Sequence, residues 1–299
     1  MKSAASLAVA ALVLVAAPLV HADAPLDFLG PRELAVGEAM RADARGATAM
    51  TINPGGLPLS QELVFEGSYG YLGGGDTAAH AVAVSGCDST VPIAGCLYYR
   101  YYQRQPGGDD GDQFRIHEVG STAARAFGPT VSAGISAKYF DTAGPGDDES
   151  GFAVDAGLLV RLANTFAIAA VGHNLVNGGA IQYPRAVAGG ITARLVPTLA
   201  IHADGIWDVE REGSTGRYGG GVEYFLTSGD RQTGYPLRAG VVHDVALDAT
   251  YLTAGVGIMT SGVAFDVGGR KQLDSDEFTI VAGLRIFGPR QLPGTQRFQ

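Results

Sequence analysis

Residues 152–162 read Phe-Ala-Val-Asp-Ala-Gly-Leu-Leu-Val-Arg-Leu. Phe152, Val154, Ala156, Leu158, Val160 and Leu162 take every second position, and Ala153, Asp155, Gly157, Leu159 and Arg161 fill the places between. Successive side chains of a strand point to opposite faces, so this spacing gives one oily face and one mixed, wetter face. The split recurs along the chain. At 131–140, Val131, Ala133, Ile135, Ala137 and Tyr139 oppose Ser132, Gly134, Ser136, Lys138 and Phe140. At 199–208, Leu199, Ile201, Ala203 and Trp207 oppose His202, Asp204 and Asp208, and at 278–287 Phe278, Ile280, Ala282, Leu284 and Ile286 oppose Thr279, Gly283 and Arg285. From Glu62 to Phe287 about fourteen such segments follow one another, each about 10–12 residues long.

Alternation alone does not separate a lipid-facing wall from a soluble β-sandwich or β-helix. Three features favour the membrane. Strands of about 10–12 residues match the tilted span of a bilayer, whereas soluble strands average about 5–6. A closed barrel leaves no unpaired edge, and in hydrocarbon each orphaned backbone group would cost several kcal/mol. Tyr69, Tyr71, Tyr98, Tyr139, Trp207, Tyr224 and Tyr251 lie near strand ends, where a water interface would fall. The connections also alternate: Gly128-Pro129, Ala163-Asn164, Val196-Pro197 and Thr260-Ser261 are tight, whereas 106–111, 142–150, 174–184 and 210–215 are longer and polar. The turns at 87–95 and 228–235 are long for the tight end. The fold expected is all-β, a transmembrane up-and-down barrel of about 14 antiparallel strands.

Composition agrees. The 299 residues include 44 Gly and only 17% charged side chains, against roughly 7% Gly and about 25% charge in a soluble domain. After residue 22 no stretch approaches the roughly 18 apolar residues of a spanning helix. A net charge of −9 without a basic cluster removes the footprint of nucleic-acid binding. His80, His117, His173, His202 and His243 form no i, i+4 pair, and no Gly-x-Ser-x-Gly or HExxH motif occurs, so no enzyme is expected. Neither a metal nor a cofactor is implied.

Residues 1–22 combine Lys2, an apolar run from Ala4 to Val20 and small residues at the end, the layout of an export signal cut after Ala22. The expected organisation is a signal at 1–22, an N-terminal segment at 23–61, the barrel at 62–287 and a periplasmic tail at 288–299. Export allows Cys87 and Cys96 to form a disulfide clamping a turn, worth about 2–3 kcal/mol of unfolded-chain entropy.

The charges on the wetter face are expected to line the interior: Lys138, Arg161, Arg194, Arg217, Arg238, Arg270 and Arg285 against Asp155, Asp204, Asp208, Glu223, Asp244 and Asp266. So balanced a set predicts an ion-pair network that satisfies itself rather than a lining selective for one sign. In the segment 112–127, Arg115, His117 and Arg125 share one parity and Glu118 takes the other, which predicts a bulge or a shifted register. The longest connection, 174–184, has Leu175, Val176, Ile181 and Tyr183 as its sizeable apolar or aromatic groups.

Residues 32–60 differ in kind. They are rich in Ala, Met and Gly, show helical spacing at Leu34, Met40 and Ala44, and close on Asn53-Pro54-Gly55-Gly56-Leu57. This segment resembles the N-terminal hatch of FadL-type outer-membrane transporters, in particular the PorV-like branch, where an Asn-Pro-Ala-Gly-Leu-like motif precedes the first strand; Gly55 stands here for the Ala. The stretches 131–140, 153–162, 171–175, 181–195, 217–226 and 236–241 resemble successive strands of that family in the same order. The resemblance implies a fourteen-stranded barrel in the outer membrane of a Gram-negative bacterium, its lumen obstructed by a helical or irregular hatch. It implies passive transport of small hydrophobic molecules or, in the PorV-like alternative, escort of secreted cargo proteins. Outer-membrane lipid is the expected surrounding, and Asn53 to Leu57 the expected gating motif.

Overall fold

The computed structural model describes residues 29–74, 77–106, 113–144, 148–162, 165–177, 182–210, 213–229 and 232–288. The expected export signal, and all of the expected tail except Gly288, lie outside them.

The alternating segments condense into fourteen antiparallel strands among the described residues. The first seven are β1 (Leu63–Gly73), β2 (Thr77–Asp88), β3 (Ala94–Pro106), β4 (Phe114–Phe127), β5 (Val131–Ala143), β6 (Glu149–Leu162) and β7 (Phe166–Val176). The wall continues through β8 (Ala186–Val196), β9 (Leu199–Asp208), β10 (Gly216–Thr227), β11 (Gly234–Asp244), β12 (Ala249–Met259), β13 (Val263–Gln272) and β14 (Phe278–Phe287). Each strand pairs with its sequence neighbours, and β14 closes on β1 from Val64↔Phe287 to Gly73↔Phe278. Closure leaves no strand edge exposed, which is what lets such a sheet stand in hydrocarbon.

The alternation sorts side chains by face. Phe65, Leu97, Val119, Ile135, Phe152, Leu252 and Val256 stand exposed on the outside, while Val64, Ser136, Lys138, Asp155, Thr253 and Asp266 are buried on the inside. Toward the end bearing the longer connections, outward aromatics meet polar partners. The Tyr69 hydroxyl lies 2.7 Å from His80 Nδ1, the Tyr99 hydroxyl 2.8 Å from His117 Nδ1, and Trp207 Nε1 donates to the Tyr218 hydroxyl at 3.0 Å. Rings that are apolar at one end and wet at the other suit a membrane–water boundary.

Three local expectations are corrected. β4 pairs without interruption with both neighbours, so no bulge separates Glu118 from Arg115, His117 and Arg125. Glu118 points inward and the other three point outward near the ends of a 14-residue strand, where His117 meets Tyr99 and Arg125 lies 5.9 Å from the Phe127 ring centre. The register shifts fall instead between Val154 and Ala156 of β6 against β7, and between Arg194 and Val196 of β8 against β9. Second, Cys87 and Cys96 are bonded, but as directly opposed residues within the β2–β3 ladder. The turn is only 89–93, because β2 runs on to Asp88 and β3 begins at Ala94. Third, Gly234 and Tyr235 belong to β11, which shortens the turn at 228–235.

The core is the barrel's interior, and residues 31–59 fill it. They form helix α1 (Pro31–Ala35), a 3₁₀ turn at Arg41–Asp43, helix α2 (Ala47–Ile52) and a second 3₁₀ turn at Pro54–Leu59. Leu34, Val36, Met40, Met50, Ile52 and Leu57 cluster there with Val64, Val281 and the two cysteines. α1 packs on β11–β14, the first 3₁₀ turn on β7 and β8, α2 on β2 and β3, and the second turn on β3–β6. The segment therefore touches the wall from opposite sides.

Its backbone comes too close to the sheet for side chains to intervene. A Cβ on Gly221 would lie 2.5 Å from the Val36 carbonyl oxygen, and one on Gly240 2.5 Å from the Gly37 nitrogen. Gly37 itself has φ +68°, a left-handed conformation that glycine adopts without cost. Inward glycines on β10 and β11 are thus the seat of the Val36–Gly37 bend.

Candidate functional site

The lumen is held by two sets of ion pairs. In the first, wall meets wall. Lys138 Nζ lies 2.9 Å from Asp155 Oδ2, and Arg238 reaches Glu223 at 2.6 Å and Asp266 at 2.7 Å. Arg285 holds the other oxygen of Asp266 at 2.7 Å, and Arg217 meets Asp244 at 3.2 Å.

In the second set, wall meets interior segment. Arg194 pairs with Asp43 at 2.6 Å. Asp204 accepts the Arg41 backbone amide at 2.8 Å and its guanidinium at 3.2 Å. Glu38 stands between Arg217 at 2.8 Å and Arg270 at 2.9 Å. The expectation of a wall network that satisfies itself is corrected accordingly: Arg194, Asp204 and Arg270 find opposite charges on the segment that fills the barrel. Burial, the largest influence on Asp43, raises its carboxyl pKa, but Arg45 and Arg194, with His202 and Arg32, outweigh it and hold the group below its ordinary value.

Two residues expected in the lining sit apart. Arg161 has the inward parity of Asp155 but stands exposed at the end of β6. Asp208 ends β9, and its Oδ1 accepts the Glu210 amide at 2.8 Å, so it shapes the connection above the lumen.

The motif Asn53 to Leu57 forms a knot at the centre. Asn53 is fully buried; its Nδ2 donates to the Arg41 carbonyl at 2.7 Å and its Oδ1 accepts the Gly55 amide at 2.9 Å. Pro54 opens the turn, and Gly55 presents its carbonyl to the Ser132 hydroxyl of β5 at 2.6 Å. Gly56 packs where a Cβ would collide with the Ala44 backbone, and Leu57 is fully buried. One amide side chain thereby joins the two 3₁₀ turns to each other, and the Gly55 carbonyl ties them to the wall.

Sequence reasoning passed over several residues of the interior. Glu38, Arg41 and Asp43 are charges in an otherwise apolar stretch, and burial of that stretch requires partners for them. Glu118 stands out in the sequence only by its odd parity. It anchors a buried cluster toward the long-loop end: Oε1 accepts the Tyr98 hydroxyl at 2.7 Å and Arg100, and Oε2 accepts the Tyr183 hydroxyl at 2.8 Å. Burial, with Glu118 beside it, holds the Tyr183 phenol protonated, its pKa above the usual range.

A cavity lies between the interior segment and the wall of β1–β3, β13 and β14, lined among others by Arg32, Met50, Glu66, Ser68, Ser85 and Tyr98. Arg32 Nε and Ser85 Oγ are buried there without a hydrogen-bond partner among the described residues.

A closed up-and-down barrel of fourteen strands, filled by its own N-terminal segment, defines the class of protein. No family model matches the sequence, and no curated protein does either. Solved structures match in fold. The chain is similar to the Pseudomonas putida toluene transporter TodX, with TM-score 0.65 and 10% identity over 87% of this chain and 97% of that one. It is similar to the CymD monoaromatic hydrocarbon channel, with TM-score 0.60 and 12% identity over 86% and 99% of the two chains. A Pseudomonas aeruginosa FadL homologue gives TM-score 0.60 and 10% identity over 88% and 98%. What this chain shares with them is the FadL-type barrel fold.

Proposed function

We propose that the protein is a passive outer-membrane channel for small hydrophobic molecules, with residues 31–59 as its hatch and Asn53 to Leu57 as the joint on which the hatch turns. The observation that carries this reading is the packing of an Ala/Met-rich segment inside an otherwise closed barrel. Apolar groups such as Met50, Leu34 and Leu57 supply a greasy interior, and the cavity beside Arg32 and Met50 is the start of a route past the hatch. Likeness in fold to hydrocarbon channels supports the same solute class. The surrounding phase in this reading is the outer membrane of a Gram-negative bacterium, reached through the export signal at 1–22, with the long connections outside the cell and the tail at 288–299 in the periplasm.

Permeation tests it. Deleting residues 32–57 is expected to raise hydrophobic-dye flux into liposomes while the barrel keeps its heat-modifiable, folded migration. Flux unchanged by the deletion in a folded barrel contradicts the reading. That result would favour the PorV-like alternative, escort of secreted cargo, for which short, polar, acidic connections such as the sequence at 146–150 are the supporting feature.

A further inference from the structure

Tyr183 belongs to the connection between β7 and β8, yet its side chain is folded into the lumen and is only 1% exposed. Its ring stacks on Phe140 with centroids 3.9 Å apart and planes 15° from parallel. Lys138 Nζ lies 5.6 Å from the ring centre, and the hydroxyl donates to Glu118 Oε2 at 2.8 Å. Phe140, Lys138, Glu118 and Tyr98 all stand on β3, β4 and β5, whose ladder fixes them independently of the connection. Tyr183 is therefore a guest in a slot built by the wall. Its backbone is held at the rim by other groups: Asn177 Nδ2 donates to the Tyr183 carbonyl at 2.7 Å, and Asn174 Nδ2 to the Pro184 carbonyl at 2.9 Å.

We propose that this slot is a binding site for small phenols, single aromatic rings bearing a hydroxyl, and that Tyr183 is its internal occupant, exchanging places with the solute. Each contact of the Tyr183 side chain is one a free phenol can make: an offset stack on Phe140, an ammonium over the ring, and a charge-assisted hydrogen bond to a carboxylate. The hydroxyl is decisive. Tyr98 and Arg100 occupy Oε1 of Glu118, so a ring without a hydroxyl would leave Oε2 buried and unpaired. An unsubstituted hydrocarbon should bind about tenfold or more weakly than the corresponding phenol. The proposal rests on the channel reading for the solute's route to the slot; the slot's chemistry stands on the geometry.

The test uses the full barrel folded in detergent, with 4-fluorophenol and fluorobenzene as fluorine NMR probes. Wild type should bind 4-fluorophenol saturably and release it to p-cresol, and fluorobenzene should bind at least about tenfold more weakly. Tyr183→Phe keeps the ring and its packing but gives up the bond to Glu118, so its affinity for 4-fluorophenol should rise about tenfold. Glu118→Gln, which keeps an amide partner but loses the charge, should shrink the preference for the phenol. Unsaturable partitioning in wild type and Tyr183→Phe alike, or equal affinity for the two probes, overturns the site. Toluene flux through wild-type liposomes reads the channel separately. A barrel that passes toluene but shows no saturable phenol binding refutes the slot and leaves the channel standing; one that binds phenol and passes nothing supports the slot and removes the channel.

Discussion

Replacing Arg238 by leucine is expected to destabilise the folded barrel by about 3–5 kcal/mol, the cost of breaking a buried ion pair from one side. Arg238 is 6% exposed and bridges Glu223 at 2.6 Å and Asp266 at 2.7 Å. Its loss leaves Asp266 with Arg285 but strips Glu223 of its direct partner in the network described above. Leucine fills much of the vacated volume, so the loss reports charge rather than a void. A second substitution, Glu223→Leu, should recover a large part of it, because removing both charges also removes their desolvation cost. Urea titration of both variants in lipid vesicles, compared with wild type, measures the difference. A single variant as stable as wild type would mean that the lumen is wet enough to solvate a bare carboxylate.

Arginine at position 254 should cost about 2–4 kcal/mol through the opposite face. Ala254 is the middle residue of β12, lies between Ala239 and Gly269 of the adjacent strands, and points outward. Its outward neighbours Leu252 and Val256 are 53% and 56% exposed. Such exposure would be a liability in water and is ordinary against acyl chains. Ala254→Leu should leave stability near the wild-type value, so the pair of substitutions separates charge from bulk in the same urea titration.

Parity was legible in the sequence and pairing was not. A wall one residue thick must put every second side chain in lipid, so the alternation at 131–140, 152–162 and 278–287 fixes the face of each residue before any contact is known. Partners depend on register and on what lies inside, and neither is encoded by a period of two. Lys138 could be placed inward, but its bond to Asp155 requires the β5–β6 alignment of Ser136 with Asp155. Arg194 and Asp204 could be placed inward, but Asp43 and Arg41 belong to a segment without strand periodicity. Glu118 breaks the pattern of its segment because that strand is long enough to carry polar groups outward near its ends, a departure that parity alone reads as a bulge or a shifted register. The cysteine-bearing turn misled for another reason. Val91, Pro92 and Ile93 are apolar, so the sequence shows no sharp polar boundary at the true turn.

In a membrane barrel of this kind the outer row of side chains meets lipid while the inner row meets the N-terminal segment. Nitroxide labels placed one at a time along β12, from position 250 to 257, test this in vesicles with lipid-dissolved oxygen and a water-soluble nickel chelate as relaxing agents. High oxygen and low nickel accessibility are expected at 252, 254 and 256, with shielding from both at 253 and 255, where Thr253 bonds the Gly37 amide and Gly255 faces Ala35. Nickel access to 252, 254 and 256, or the same response at odd and even positions, would contradict this arrangement.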